Sequence, residues 1–258
     1  MPEGDTVYRA AKLLAGALDG TVLTRCDIRV PKFATVDLTG ETVRETVSRG
    51  KHLHTRVGDF TLHSHLKMEG IWQVYRPGER WRRAEFKARA ILGNESLTAV
   101  GFELGLFEVV RTVDEDEVVG YLGPDLLGPD WDADLALAHL RSDPDREIGL
   151  ALLDQRNLAG LGNVYRAELC FLRGVLPTRR VGDVDDLERM VALAKKLIEA
   201  NKDRSTRATT GNLRGDTLWV YGRAGRPCLR CGTRVLEGEL GDNDLQLRVT
   251  YWCPNCQR

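Results

Sequence analysis

The spacing of apolar residues divides the chain into a short helix, a strand-rich region and a helical region. Apolar residues recur at helical spacing from Val7 to Leu18, directly after Asp5 and Thr6, either of which can cap a helix. From about residue 21 to residue 111 the pattern changes to short strands punctuated by Gly and Pro. Alternation of apolar and polar residues marks three of these strands, over 60–66, 71–75 and 87–92. Several short strands at this spacing predict a β-sandwich or a barrel.

Helical periodicity returns after an acidic stretch, residues 113–132, which contains two Gly-Pro pairs and is the natural connection between two domains. Helices are predicted over four segments, 133–141, 147–156, 163–173 and 185–200. The tail, residues 218–258, is predicted to form a hairpin-like ribbon around four cysteines. The sequence therefore predicts an α+β protein in four parts, a β-rich domain over 1–112, a linker over 113–132, a helical domain over 133–217 and the ribbon over 218–258.

Composition excludes several classes of protein but leaves DNA binding open. The 258 residues are 42% hydrophobic and 29% charged, which is ordinary for a globular protein and excludes collagen-like and disordered chains. The net charge of −1 hides an acidic middle and a basic C-terminal region, so a basic face is compatible with it. No apolar run approaches the ~20 residues of a membrane span, and the N-terminus lacks a signal-peptide pattern. We expect a cytoplasmic protein without a membrane partner.

Four of the six cysteines form two C-x-x-C pairs, Cys228 with Cys231 and Cys253 with Cys256. Zn²⁺ prefers four soft ligands in a tetrahedron, and each C-x-x-C turn supplies two of them. Without a signal peptide, this pattern favours a metal over the alternatives of two local disulfides or a redox pair. A site with four cysteine ligands has no open position, so the predicted cofactor is one structural zinc ion.

The N-terminal sequence Met1-Pro2-Glu3 offers a nucleophile beside an acid. Removal of Met1 would leave Pro2 with a free secondary α-amine, which titrates near pH 8 and is partly neutral at neutral pH. Such amines attack carbonyl or acetal carbon and form iminium intermediates. Glu3 could move protons during this chemistry. Many proteins begin with Met-Pro for processing reasons, however, so this signal is weak in isolation.

Four histidines lie as two pairs in neighbouring predicted strands, His52 with His54 and His63 with His65. Alternate residues of a strand share one face, so each pair could converge on a metal ion, as in H-x-H hydrolases. No carboxylate with an obvious partnering role accompanies them, and a structural role for strand histidines is the alternative.

Three further positions suggest contacts to an anion. Lys51 follows Gly50 at a predicted turn, the glycine-rich segment 158–163 ends at Asn163 before a helix, and Arg248 lies on the ribbon just before Cys253. Glycines and the free N–H groups of a helix start let the backbone approach an anion. A solvated Lys, a plain helix–helix turn and a surface Arg are the corresponding structural interpretations.

These features occur together and in an order that resembles the formamidopyrimidine-DNA glycosylase/endonuclease VIII family. The resemblance spans essentially the whole chain. Its most specific parts are the glycine-rich segment before the helix predicted over 163–173 and the cysteine-rich end. It is carried by five segments, residues 1–4 (MPEG), 49–51 (RGK), 64–70 (SHLKMEG), 153–163 (LDQRNLAGLGN) and 251–257 (YWCPNCQ). The family implies a β-sandwich domain with a flanking helix, and a second domain that contains a helix–two-turn–helix motif and a zinc-finger β-hairpin.

The resemblance also implies roles for individual residues. Pro2 would attack C1′ of the damaged nucleoside, Glu3 would protonate the sugar ring oxygen, and Lys51 would contact the phosphate and assist elimination. Asn163 and Arg248 would hold the DNA backbone. Met68 would fill the hole left by the extruded base, which suits an unbranched, soft side chain. The implied activity is that of a bifunctional DNA glycosylase and abasic-site lyase of base excision repair, which acts as a monomer on damaged duplex or single-stranded DNA in the nucleoid.

The sequence departs from the family pattern in its details. Thr6 stands where a glutamate is frequent, and Lys67 and Glu69 flank Met68 where endonuclease VIII proteins often have Gln-Leu-Tyr. Gly4 and the 153–163 segment favour the endonuclease VIII branch, and therefore oxidised pyrimidines over oxidised purines as substrates. Two other functions stay open at this point. They are a non-catalytic binder of damaged or abasic DNA and a metal-dependent hydrolase built on the four histidines.

Overall fold

A computed structural model describes residues 2–258, which form two compact units. One unit comprises Pro2 and residues 6–121, and the other comprises residues 3–5 and 122–258. The helices are α1 (Gly4–Leu18), α2 (Glu115–Val119), α3 (Ala133–Arg141), α4 (Ile148–Ala151), α5 (Asn163–Arg173) and α6 (Leu187–Asn201). The strands are β1 (Arg25–Ile28), β2 (Val43–Arg49), β3 (His52–Val57), β4 (Phe60–His65), β5 (Ile71–Tyr75), β6 (Ala88–Gly93), β7 (Thr98–Phe102), β8 (Leu106–Arg111), β9 (Leu236–Leu240) and β10 (Arg248–Trp252).

The first unit is built around two antiparallel four-stranded sheets, in the orders β1-β6-β7-β5 and β2-β3-β4-β8. Apolar residues of both sheets and of α1 form one buried core, to which Leu14, Leu53 and Leu92 belong. The predicted sandwich and its flanking helix are therefore confirmed. Because side chains alternate along a strand, Leu53 lies in this core while His52 and His54 lie on the opposite face of β3.

Part of the acidic segment that follows the sheets is folded within the first unit. Residues 112–114 form a 3₁₀ turn, and α2 follows directly. The side chain of Arg56 donates two hydrogen bonds to the carboxylate of Glu115, at 2.8 and 2.7 Å. Burial acts to raise the pKa of Glu115, but the hydrogen bonds from Arg56 and Thr61 outweigh it and lower this pKa to about 2. One acidic residue of the predicted linker, Glu115, thus attaches this stretch to β3 and β4.

The second unit combines a helical core with a small ribbon. The core includes buried residues of α3, α5 and α6, such as Leu137, Leu169 and Ile198. Strands β9 and β10 form an antiparallel hairpin, and two of the cysteines lie in a separate buried cluster with residues of α5. None of the helices in residues 2–258 is long and apolar enough to span a membrane.

The predicted helix over 147–156 is too long, whereas α3 and α5 coincide with their predicted ranges. Helix α4 ends at Ala151, whose carbonyl accepts a hydrogen bond of 2.9 Å from the side chain of Asn157. The carboxylate of Asp154 accepts the backbone N–H of Arg156 at 3.0 Å and forms a local turn. Apolar spacing continued through this region, but side chains that bond to the backbone terminated the helix.

Candidate active site

The carboxylate of Glu3 is completely buried at the N-terminus of α5. It accepts the backbone N–H groups of Gly162 and Val164, both at 2.8 Å, and that of Tyr165 at 3.4 Å. The first N–H groups of a helix have no partner within the helix, and the helix dipole favours a negative charge beside them. The sequence predicts that the glycine-rich segment 158–163 lets an anion approach, and in the structure the anion at these N–H groups is the carboxylate of Glu3.

Two glycines permit this approach of the N-terminal segment. A Cβ atom on Gly162 would lie 2.6 Å from Cδ of Glu3, so no side chain fits at this position. The N–H of Gly4 donates to the carbonyl of Gly160 at 2.8 Å, and a Cβ on Gly4 would lie only 3.0 Å from Cα of Gly160. Gly160 itself has a φ of 112°, which is open to glycine but strained for other residues. The sequence Pro-Glu-Gly therefore fits a backbone-to-backbone contact that fixes Glu3.

A second buried carboxylate, Asp5, lies close to Glu3 and was not identified from the sequence. It accepts hydrogen bonds from Nε and Nη2 of Arg207 at 2.8 and 2.5 Å, and from the hydroxyl of Tyr165 at 3.1 Å. Nη1 of Arg207 lies 3.9 Å from Oε1 of Glu3. Burial opposes the charge on Arg207, but the carboxylates of Glu3 and Asp5 raise its pKa above the ordinary value. Arg207 is separated from Asp5 by about two hundred residues, and no local pattern marks it.

Pro2 and Lys51 are both half-buried in the first unit. Pro2 precedes α1 and lies outside any helix or strand. Lys51 follows Gly50 in the two-residue turn that joins β2 to β3, where Arg49 pairs with His52. Gly50 has a φ of 56°, as a tight turn of this kind requires. The structure thus places Lys51 at the tip of a short hairpin.

Met68 is 60% exposed at the tip of a tight turn after β4. The N–H of Gly70 donates to the carbonyl of Leu66 at 2.9 Å and closes this turn. Lys67 has a φ of 53°, and its backbone N–H donates to Nδ1 of His65 at 2.9 Å. A residue other than glycine in this conformation carries strain that the surrounding contacts must compensate. The turn therefore presents Met68 on a defined backbone.

Asn163 and Arg248 belong to the same unit but differ in their surroundings. Asn163 is 1% exposed, and its Nδ2 donates to the carbonyl of Val249 at 2.6 Å. Its Oδ1 is buried and has no hydrogen-bond partner among residues 2–258. Arg248 is exposed at the start of β10, one residue before Val249. Asn163 thus binds the backbone of the hairpin that carries Arg248.

The four cysteines of the ribbon converge as a metal site requires. Their Sγ atoms all lie within 4.8 Å of one another, with 3.9 Å between Cys228 and Cys256 and 3.5 Å between Cys231 and Cys253. Sulfur atoms around a tetrahedral zinc ion, at about 2.3 Å from the metal, are separated by about 3.8 Å. All four are free thiols rather than disulfides. The cluster is positioned to bind one metal ion.

The four histidines do not form a comparable group, so the hydrolase hypothesis lacks its metal site within residues 2–258. Nδ1 of His52 lies 2.8 Å from Nε2 of His63, and Nε2 of His52 lies 3.2 Å from the hydroxyl of Tyr121. Ring nitrogens that hydrogen-bond to each other and to a hydroxyl do not converge on one point. Burial lowers the pKa of all four, to about 3 for His52 and to about 4 for His54 and His65, so burial favours the neutral form throughout the cluster.

Comparisons with known proteins agree with the family resemblance of the sequence. The family model of the formamidopyrimidine-DNA glycosylase N-terminal domain matches residues 1–102, and that of the formamidopyrimidine-DNA glycosylase H2TH domain matches residues 122–204. Together they cover more than half of the chain.

Two curated relatives and one solved structure illustrate the similarity. The chain is 59% identical to the "Probable endonuclease 8 2" of Streptomyces coelicolor, over 100% of this chain and 94% of that protein. It is 50% identical to the "DNA-(apurinic or apyrimidinic site) lyase Nei2" of Mycolicibacterium smegmatis, over 100% of this chain and 99% of the other. A complex of Lactococcus lactis Fpg (MutM) with DNA that contains an oxidised pyrimidine superimposes with a TM-score of 0.83, at 23% identity and over 100% of both chains. At this identity, the superposition demonstrates the shared fold alone.

Proposed function

The chain belongs to the formamidopyrimidine-DNA glycosylase and endonuclease VIII family of DNA repair glycosylases and lyases, and on this premise we propose that it excises oxidised bases, with a preference for pyrimidines, through a Schiff base on Pro2. The observation that carries the proposal is the fixed carboxylate of Glu3, next to Pro2 in the chain and held by three backbone N–H groups at the start of α5. A proton-transfer group must keep its geometry through the reaction, and this one is positioned by backbone rather than by mobile side chains.

The proposed reaction begins when the neutral amine of Pro2, freed by removal of Met1, attacks C1′ of the damaged nucleotide. The bond between C1′ and the base nitrogen breaks, and the base leaves with a proton from the solvent. The attacking nitrogen gives its proton to the carboxylate of Glu3, which passes it to the ring oxygen O4′ as the C1′–O4′ bond breaks, and this gives an iminium between Pro2 and C1′. Loss of a proton from C2′ expels the 3′ phosphate by β-elimination, and a second elimination expels the 5′ phosphate. Water then hydrolyses the iminium and releases the enzyme.

The remaining candidate residues are proposed to hold the DNA. Lys51, at the tip of its hairpin, would contact the phosphate and assist elimination, and Arg248 and Asn163 would hold the backbone next to the lesion. The exposed Met68 would enter the stack where the damaged nucleotide has left it. The damaged DNA is bound by a monomer in this proposal, and the four cysteines hold one structural Zn²⁺.

Excision assays with a panel of duplexes test this proposal, each with one oxidised pyrimidine, one oxidised purine or one abasic site. We expect base release and strand cleavage to be fastest on the oxidised pyrimidine and the abasic site. Faster release of the oxidised purine would contradict the assignment to the endonuclease VIII branch. Binding of every damaged duplex without any cleavage would instead support the damage-binding alternative, for which the exposed carboxylate of Glu69 beside Met68 is the supporting observation.

A further inference from the structure

Arg166 on α5 is the largest fully buried side chain among residues 2–258, with 0% of its surface exposed. No carboxylate oxygen of residues 2–258 lies within 4.0 Å of its guanidinium group. Its Nε and Nη1 atoms are buried and have no hydrogen-bond partner within the described chain. Buried charges are nearly always paired, because removal of a charge from water is costly. An unpaired buried guanidinium therefore requires an explanation.

The one hydrogen bond that the side chain of Arg166 makes within residues 2–258 goes to the ribbon hairpin. Its Nη2 donates to the carbonyl of Val249 at 2.9 Å. Nδ2 of Asn163 donates to the same carbonyl at 2.6 Å. The two donors are three residues apart in the first turn of α5 and so lie on the same face of the helix, from which both donate to one acceptor. This clamp fixes the backbone one residue after Arg248.

Arg166 and Arg248 bring two positive charges to the clamp. Burial is the main cause that lowers the pKa of Arg166 to about 10; the positive charge of Arg248 acts in the same direction, and Cys170 and the carboxylate of Glu3 oppose it. Two guanidinium groups that repel each other across one hairpin are stabilised together when an anion lies beside them. The anion that fits the proposed function is a DNA phosphate at Arg248.

We infer that Arg166 is a positioning residue, which holds Val249 so that Arg248 meets a phosphate of the bound DNA and which adds a buried positive charge without an ion-pair partner behind that contact. The inference rests on the proposed function, because it assumes the phosphate contact of Arg248. It assigns no direct DNA contact to Arg166, whose unpartnered nitrogens are closed to solvent.

A second buried arginine in the same unit offers a matched control. Arg223 is 7% exposed and donates to the carbonyls of Trp219 and Pro227, at 2.9 and 3.2 Å, but it has a carboxylate partner in Asp216 at 3.5 Å. Replacement of Arg223 removes a buried arginine and its backbone hydrogen bonds without touching Val249. A loss of DNA binding that reflects only general destabilisation should occur in both variants.

The test is a double-mutant cycle on binding to a duplex with a stable abasic-site analogue, measured over a series of salt concentrations. The variants are Arg166→Met, Arg248→Met, the double variant, Arg166→Lys and the control Arg223→Met. We expect Arg166→Met and Arg248→Met each to weaken binding about tenfold and to reduce the dependence of log Kd on log salt by about one phosphate contact. The double variant should lose little more than either single one. Arg166→Lys keeps the positive charge and an N–H donor for the carbonyl of Val249, so it should bind the duplex more tightly than Arg166→Met.

Each other outcome overturns the inference in a distinguishable way. The positioning role would be excluded if Arg166→Met kept the wild-type salt dependence, or if the losses of DNA affinity in the two single variants simply added in the double variant. Neither result would refute the phosphate contact of Arg248. An unchanged Arg248→Met would refute the proposed phosphate contact itself, and the positioning role with it. Equal losses in Arg166→Met and Arg223→Met would show that destabilisation is the cause. If Arg166→Met fails to fold, Arg166→Lys decides. Weaker and less salt-dependent DNA binding than wild type, in a variant of wild-type stability, would support the clamp, and wild-type affinity with wild-type salt dependence would overturn it.

Discussion

Glu3 and Glu168 are two buried carboxylates of the same unit, and each accepts three backbone N–H groups. Glu3 bonds to the start of α5, whereas Glu168, in the middle of α5, accepts N–H groups of Trp219–Tyr221 at 2.8 to 2.9 Å. The hydroxyl of Thr209 also donates to Glu168. Neither side chain is exposed. The two sites are nearly equivalent in burial and in hydrogen bonding.

The neighbours of the two carboxylates differ, and they indicate different functions. Glu168 is surrounded by the chain that leads into the ribbon, so its hydrogen bonds attach that chain to α5. Glu3 follows Pro2, the proposed nucleophile, and precedes Asp5 with its partner Arg207. Backbone N–H groups around a carboxylate are therefore a structural device in both places. Only an adjacent nucleophile makes such a carboxylate a candidate for proton transfer.

The largest difference between the sites of Glu3 and Glu168 is expected when the metal is lost. Cys253→Ser is expected to abolish metal binding, because a serine hydroxyl does not replace a thiolate ligand. Structural zinc contributes on the order of 10 kcal/mol to such a module, so the ribbon should lose its fold. Hydrogen exchange should then become fast at the N–H groups of 219–221, while those of Gly162 and Val164 at Glu3 stay protected. Metal content and DNA affinity should fall together, and Cys26→Ser in the sandwich unit is the control that keeps both. Unchanged DNA binding by the metal-free protein would contradict a structural role of the metal.

Substitution of the carboxylates themselves should separate stability from catalysis. In Glu3→Gln and Glu168→Gln the new NH₂ group faces backbone N–H donors, so each should lower the free energy of unfolding by about 1–3 kcal/mol. Base excision should fall by roughly 10² to 10⁴-fold in Glu3→Gln, the usual contribution of general acid–base catalysis, and by less than about tenfold in Glu168→Gln. Single-turnover kinetics below the melting temperature of both variants measure this difference. Equal rate losses would remove the functional distinction between the two sites.

A smaller effect is expected from the backbone that supports Glu3. Gly162→Ala places a methyl group 2.6 Å from Cδ of Glu3 and must displace the carboxylate. We expect a loss of about 1–3 kcal/mol in stability and of about tenfold in excision rate. Gly16→Ala is the matched control, because a Cβ there meets no atom within 4 Å, and it should stabilise α1 by about 0.5–1 kcal/mol. If Gly162→Ala excises bases at the wild-type rate, the position of Glu3 is not critical.

The residues that sequence patterns could identify are those whose signal is local. The range of α5 follows from its apolar periodicity and its flanking glycines, and two short-range C-x-x-C pairs mark the metal cluster. Helix α4 was predicted too long because side-chain hydrogen bonds from Asp154 and Asn157 overrule apolar spacing. The setting of Glu3 depends on contacts to Gly162 and Arg207, which lie far away in the chain. Long-range contacts of this kind leave no trace in spacing or composition.

The buried position of Arg166 is a second feature that the sequence pattern does not reveal. Its place at helical spacing among apolar residues gives no indication that its charge is buried and unpaired, since arginine in a helix is usually solvated.

For the four histidines, the sequence suggests a metal site that the structure does not form. Their alternation correctly places them on one face, but the orientation of their ring nitrogens, which decides between a metal site and a hydrogen-bonded cluster, is fixed only by packing.

Borohydride trapping on an oligonucleotide with a single abasic site tests the chemistry at Pro2 most directly. The protein is first examined by mass spectrometry to establish that Pro2 is the N-terminal residue, and a variant with one extra residue before Pro2 serves as the control. We expect a covalent adduct that maps to Pro2 in the wild-type protein and none in the blocked variant. Trapping in the blocked variant, or DNA binding without any adduct in the wild-type protein, would contradict Pro2 as the nucleophile.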